Sequence, residues 1–255
     1  MSSRCFVIAE AASAHDGSLD QALRMIGIAK GAGADAVKFQ TFHADVLAQQ
    51  RRAPEYLPIY RKYAMPISWL PTLANAGELL GIEFMTTVFH TAYLPVVAPF
   101  VKRWKVASFE AGDGEFLDAI LAYRQPVIVS NARDGRISAR FDARCNVLHC
   151  VAAYPAPVDE MNLAVIREPW CAGLSDHSRH VLTGALAVAA GAKIVEVHFR
   201  ADDTDPANPD YAVSLSPDEL TQYIGNIRLA EAAMGSGIKA MQPSEQRWAR
   251  YAVRS

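Results

Sequence analysis

The residues able to do chemistry recur at the ends of short apolar runs. CFVIAE (5–10) closes on Glu10, AVKFQT (36–41) carries Lys38 and Gln40, EFMTTVF (83–89) carries Thr86 and Thr87, and WKVAS (104–108) holds Lys105 and Ser108. PVIVS (126–130) ends on Ser130, and NVLHCV (146–151) contains His149. CAGLSD (171–176) leads through Ser175 and Asp176 into His177, and KIVEVHF (193–199) holds Glu196 and His198. A charge inside an apolar run is costly unless it is paired, so Lys38, Lys105, Glu196 and His198 need partners or a function. A satisfied ion pair, such as Lys38 with Glu10, would explain any one of them. Repetition on consecutive runs favours one shared site. His177 and His198 end adjacent strands, so both imidazoles could meet one divalent metal. Two histidines with few other protein ligands leave positions open for water and substrate oxygens, which suits Mn²⁺ or Mg²⁺ better than a closed zinc site. His15, His43, His90 and His180 read instead as hydrogen-bonded fillers. The lysines and hydroxyls could hold a phosphate or a carboxylate. The residues alone therefore reach a metal-assisted reaction on a phosphorylated or carboxylated small molecule, without naming it.

These residues need a frame that gathers strand ends. The eight runs are apolar on both faces or nearly so, as in a parallel sheet covered by helices. Segments of helical spacing lie between them. In LDQALRMIGIAKGAGA, Leu19, Ala22, Leu23 and Ile26 share a face, Ser18 with Gln21 fits a capping box, and Gly31 or Gly33 can end the helix. The last helix starts at SPDEL, with Ser216 as N-cap, Pro217 first and Glu219 third. Eight strands alternating with helices predict a (β/α)8 TIM barrel of α/β class, whose active site is built at the C-terminal strand ends. An open dinucleotide-binding sheet would favour GxGxxG after the first strand, and IAEAASAHDG lacks it. The stretch 90–102 contains Pro95 and Pro99 and 131–145 is polar and poorly periodic, so one or two helices should be eroded. The long basic insert 42–65 reads as a loop over the barrel mouth. One domain is expected over 1–241, with a tail at 242–255.

Composition narrows the function classes. The 255 residues are 51% hydrophobic and 20% charged, which excludes disorder and suits one large domain. Lys+Arg number 25 against 27 Asp+Glu, with neither a basic excess nor a basic stripe, so no nucleic-acid partner is expected. No uncharged apolar run reaches about 18 residues, so no membrane helix is expected. The start, MSSRCFVIAE, is unlike a signal peptide. Cys5, Cys145, Cys150 and Cys171 form no CxxC pair and read as reduced thiols in a cytoplasmic protein.

The same segments resemble the N-acetylneuraminate (sialic acid) synthase family, which condenses phosphoenolpyruvate with an N-acyl amino sugar. The resemblance rests on IAE (8–10), HDG (15–17), GADAVKFQT (33–41), LGIEFMTT (80–87), KVAS with Glu110 (105–110) and PVIVS (126–130). It continues through LHCVAAYPAP (148–157), GLSDHS (173–178), GAKIVEVHF (191–199) and PSE (243–245), in family order over almost the whole chain. It implies that His177 and His198 bind a divalent metal, Mn²⁺ first, with Mg²⁺ or Co²⁺ as alternatives. It implies that Lys38, Gln40, Thr87, Lys105 and Ser175 hold phosphoenolpyruvate, and the strand-end positions of Ser108, Ser130 and Asp176 put them at the substrate as well. Glu10 and Asp210 match acidic groups linked to the chemistry, alongside Lys105, and Glu110 and Glu196 match residues near the acceptor sugar. Phosphoenolpyruvate and an aldehyde sugar would be the partners, in a chain that could pair as a homodimer.

Departures from the family pattern accompany the matches. Ala14 stands where the family usually has Asn, an STPFD-like segment becomes TTVFH, and an STGM-like segment becomes SNAR with Arg133. The chain stops at YAVRS, about where the family continues into a linker and an antifreeze-like domain that helps bind the sugar. The leading expectation is a synthase making a 2-keto-3-deoxy sugar acid and phosphate. A non-catalytic ligand-binding or regulatory barrel, and an aldolase or lyase using another donor, stand as alternatives.

Overall fold

A computed structural model describes residues 4–132 and 138–251. Eight parallel strands close into a barrel in sequence order, with the first paired to the last. They are β1 (Phe6–Ala12), β2 (Ala36–Thr41), β3 (Glu83–Val88), β4 (Trp104–Val106), β5 (Val127–Asn131), β6 (Cys145–Cys150), β7 (Cys171–Asp176) and β8 (Ile194–His198). The predicted runs match these strands to within a residue or two. The run at 104–108 is the shortest as a strand, because the chain turns after Val106 and leaves Ser108 beyond its end.

Alternation along each strand builds two cores. Val7, Ala9, Val37, Phe39, Trp104, Val127, Val129, Leu174, Val195 and Val197 point outward into the layer between sheet and helices. Ile8, Ala36, Met85, Ile128, Leu148 and Ile194 point inward and plug the barrel interior. Two residues further along the same strands, the inward positions become Glu10, Lys38, Thr87, Ser130 and Glu196. The apolar plug is thus the floor on which the polar tier rests. Gly173 allows β7 to lie close to β8, since a Cβ there would meet the Ile194 carbonyl oxygen at 1.8 Å.

The helices are α1 (Leu19–Gly31), α2 (Ala44–Arg51), α3 (Leu57–Tyr63), α4 (Leu70–Leu80), α5 (Leu94–Val97), α6 (Gly114–Leu121), α7 (Thr183–Ala190) and α8 (Pro217–Met234). Ser18 caps α1 by accepting from the Gln21 amide at 3.3 Å, but the Gln21 side chain turns to the Ala14 carbonyl instead of closing the box. At α8 the Ser216–Glu219 box is complete in both directions. The prolines at 95 and 99 leave only α5 and flanking 3₁₀ turns after β3. No helix forms among the described residues between β5 and β6, and Arg133 lies outside them.

Two expectations need correction. The insert 42–65 does reach the barrel mouth, through Leu47, Arg51 and Tyr60, but as helices and not as a loop: it folds into α2 and α3, with a 3₁₀ turn at Pro54–Tyr56 between them. The β6–β7 connection also lacks an α-helix, having only 3₁₀ turns at Val158–Glu160 and Leu163–Arg167. Proline at 155 and 157 and the left-handed Asn162 keep helical turns from joining there. Beyond α8 a 3₁₀ segment, Pro243–Tyr251, exposes Trp248 and Tyr251. Among the described residues, no helix is long and apolar enough to cross a membrane. All four cysteines are free thiols.

Candidate active site

The C-terminal strand ends enclose a cavity of about 370 Å³. Glu10, Lys38, Gln40, Thr87, Lys105, Ser108, Ser130, Ser175, His177, Glu196, His198 and Asp210 all line it. Parallel register brings them together. Glu10 lies opposite Lys38 on β2 and opposite His198 on β8, while Thr87 lies opposite Lys105 and Ser175 opposite Glu196.

Four buried charges form the floor. Lys38 makes a short ion pair with Glu10, lies 3.6 Å from Glu196 and donates to Thr87 Oγ1 at 2.8 Å. Lys105 donates to Ser130 Oγ at 2.7 Å and stands 3.4 Å from Glu196. Ser175 donates to Glu196 at 3.1 Å, and Gln40 reaches Glu10 at 3.5 Å. The pairing of Lys38 with Glu10 is present, and it belongs to a network of two lysines and two carboxylates. Neighbouring carboxylates in low dielectric cannot ionise equally, so their affinities for protons separate. Burial and the Glu196 charge push Glu10 up to about 8, against the pull of Lys38. Burial also opposes the Glu196 charge, but Lys105 and Lys38 outweigh it and hold Glu196 down at about 2. Burial pushes Lys105 below the ordinary lysine value. For Lys38 burial acts the same way, but Glu10 and Glu196 overcome it and raise the value.

The two histidines occupy one side of the cavity. Their ring centroids are 5.6 Å apart and the rings are steeply inclined. His177 Nδ1 lies 2.6 Å from the Val151 carbonyl, which can only accept, so Nδ1 carries the proton and Nε2 presents a lone pair. His198 Nδ1 is buried without a hydrogen-bond partner and lies 4.0 Å from Asp210. Burial lowers both imidazoles, His198 to about 4, keeping them neutral. Neutral rings with a free or unpartnered nitrogen fit a cation bound by two imidazoles. Among the described residues no group of three His, Cys, Asp or Glu is arranged as a fuller ligand set. Asp210 is held in place by the Ser13 amide at 3.0 Å and the Ser13 hydroxyl, while Asn208 accepts from the Asp210 amide at 2.9 Å.

Two expected site residues are not on the cavity wall. Asp176 alternates with Ser175 and His177, so its side chain leaves the barrel and accepts from Ser178, Thr183 and Tyr223 behind the wall. Glu110 lies behind Arg51, and it is Arg51 that lines the cavity. His149 also leaves the site, with Nε2 2.8 Å from the Met161 carbonyl. The remaining histidines act locally: His15 Nδ1 accepts from Gly17, His90 from Ala92 and His180 from Leu182, and His43 stands exposed near Asp45. Tyr154, within the YPAP motif but given no role above, stacks on His177 with centroids 4.3 Å apart and lines the cavity. Arg51, Leu47, Tyr60, Phe89 and Phe109 complete the mouth. Leu47, Arg51 and Tyr60 are placed by the folding of the insert, Phe89 and Phe109 by the turns after β3 and β4, and no spacing in the sequence marks them.

Comparison with known proteins adds an independent line. The model of the NeuB family matches residues 25–239. N,N'-diacetyllegionaminic acid synthase of Legionella pneumophila is 34% identical over 94% of this chain and 76% of its own length. Spore coat polysaccharide biosynthesis protein SpsE of Bacillus subtilis is 33% identical over 91% of this chain and 69% of its own. The crystal structure of N-acetylneuraminic acid synthetase from Leptospira borgpetersenii superposes with a TM-score of 0.86 at 29% identity, covering 97% of this chain and 91% of that one. With a family model matching most of its length and relatives 33–34% identical over more than nine-tenths of it, this chain belongs to the NeuB family.

Proposed function

We propose that the protein condenses phosphoenolpyruvate with an aldose or N-acyl amino sugar, giving a 2-keto-3-deoxy sugar acid and phosphate. The observation that carries this reading is the pair of buried lysines, each bonded to a hydroxyl, beside a pair of neutral histidines. Membership of a family with named sugar-acid synthases supports it.

Lys38 and Lys105 neutralise the phosphate and carboxylate of phosphoenolpyruvate, and Thr87, Ser108, Ser130, Ser175 and Gln40 complete its hydrogen bonds. Both lysines are already paired with carboxylates, so the donor enters a site whose cations are fixed in position before it arrives. C3 of phosphoenolpyruvate attacks the aldehyde carbon, water adds at C2, and phosphate leaves by C–O cleavage. Glu10 carries the proton transfer to or from the attacking water: its raised pKa suits exchange near neutral pH. Glu196 stays ionised and balances the lysines. Asp210, held by Ser13, orients the acceptor hydroxyl or aldehyde beside His198. His177 and His198 would hold a divalent cation, Mn²⁺ first with Mg²⁺ or Co²⁺ as alternatives, and such an ion supplies Lewis acidity toward a carbonyl oxygen.

The test is Mn²⁺-dependent phosphate release from phosphoenolpyruvate across aldoses and N-acyl hexosamines, with His177→Ala as control. Release that requires both an acceptor and His177 is expected. Folded, metal-loaded protein that releases none with any acceptor would sink the proposal and favour the other-donor or binding-only alternatives.

A further inference from the structure

The mouth of the cavity holds a guanidinium placed by an unusual support. Arg51 is the last residue of α2 and donates from Nη2 to Glu110 Oε1 in a short ion pair. Its guanidinium carbon lies 4.5 Å from the centroid of Phe109 and 6.0 Å from that of Phe89. A planar cation stacked on one ring and tethered from behind has little freedom left to lose on binding. Glu110 Oε2 is buried without a hydrogen-bond partner, so the carboxylate serves Arg51 and does not face the cavity.

Position and chemistry give this group a purpose. Phe89 and Phe109 follow β3 and β4, opposite β7 and β8 in the ring of eight, where His177 follows β7 and His198 ends β8, and Arg51, from the end of α2, lies over Phe109. A molecule that has its aldehyde at the histidines and spans the cavity reaches these rings and Arg51. There it meets guanidinium N–H donors beyond the one given to Glu110. Beside them stand Leu47, one turn earlier on α2, and Phe89, both in a small apolar cluster with Phe42. A donor next to an apolar wall fits a carbonyl oxygen carrying an alkyl group. An ammonium there would face a like charge and give up its water against the apolar wall of Leu47 and Phe89, and a doubly charged phosphate would have to leave water against that same wall for a single guanidinium.

We propose that Arg51 is the specificity-determining residue for the acceptor, donating to a neutral acyl oxygen remote from the aldehyde, with Glu110 as its positioning residue. This rests on the condensation reading above and departs from the family expectation that Glu110 itself meets the acceptor.

The experiment compares wild type, Arg51→Met and the double variant Arg51→Met/Glu110→Gln, all with Mn²⁺ and phosphoenolpyruvate. The double variant removes the carboxylate that loss of Arg51 would leave buried and unpaired. The acceptors are the best N-acyl hexosamine of the panel, its free-amine form, its 6-phosphate and the parent aldose. Both variants should lose about 10- to 100-fold in kcat/KM for the acyl acceptor, the loss of one charged hydrogen bond. Their KM for phosphoenolpyruvate should stay within about threefold, and the preference for the acyl acceptor over the parent aldose should collapse. An acyl preference that survives in both variants, or a KM for phosphoenolpyruvate that rises as much as the acceptor's, overturns the assignment. So does a wild type that prefers the amine or the 6-phosphate. A wild type silent with every acceptor removes the condensation reading and this inference with it.

Discussion

Tyr223 donates its hydroxyl to Asp176 at 2.7 Å, behind the barrel wall that His177 faces from the other side. Tyr223 comes from α8 and packs its ring where Gly184 of α7 has no side chain; a Cβ there would lie 2.4 Å from the ring. Asp176 thereby ties β7, α7 and α8 together one residue before a candidate metal ligand. Tyr223→Phe should lower stability by about 1.5–3 kcal/mol, the usual loss of a hydrogen bond to a charged buried acceptor. Urea melts check this. A change below about 0.5 kcal/mol would mean that Ser178 and Thr183 satisfy Asp176 alone.

The Lys38–Glu10 pair separates stability from function. Glu10, already raised to about 8 with Lys38 beside it, takes up a proton in Lys38→Met, so the variant loses the ammonium's hydrogen bonds to Glu10 and Thr87 and should destabilise by about 1.5–3 kcal/mol. Adding Glu10→Gln should change stability little further at pH 7, because Glu10 is by then neutral. Phosphate release should stay lost in both variants. Recovery of activity in the double variant would show that the pair only supports the wall.

His15 gives the fold an acid limb. Burial lowers its pKa to about 4, from 6.5 in the unfolded chain, although Asp16 and Asp210 oppose the shift. Between these values the unfolded state binds the extra proton. Stability from this residue is therefore complete above about pH 6.5, and is lost as pH falls to about 4. The full loss is roughly 3 kcal/mol at about 1.4 kcal/mol per unit. His15→Asn keeps an acceptor for the Gly17 amide and should flatten the difference in stability between pH 7 and pH 4.5. An unchanged slope in chemical denaturation would assign the acid limb to other groups.

The thiols should be quiet. Burial pushes Cys5 up to about 12, with Glu231 adding to it, and pushes Cys150 up to about 11. At pH 8 almost no thiolate exists at either position, and only thiolate attacks a disulfide reagent. Native protein should react at Cys145 and Cys171 before Cys5 and Cys150, with the latter two released on unfolding. Peptide mapping after timed labelling tests the order, and early modification of Cys150 would contradict it.

The barrel and most of the polar tier are legible in the pattern of apolar runs. A parallel barrel needs strands apolar on both faces, so a lysine or glutamate within such a run stands out, and Lys38, Lys105 and Glu196 were legible for that reason. Ser216 and Glu219 announced α8 because a cap is a local device. Which of two adjacent polar residues turns inward depends on where each strand ends in the folded barrel. Asp176 and His177 are adjacent in sequence, and strand alternation sends one behind the wall and the other into the cavity. Arg51 and Glu110 are 59 residues apart, and their meeting depends on how α2 closes over the turn after β4. Spacing along a chain encodes periodicity within an element, whereas contact between insert and loop is set by the packing of the whole barrel.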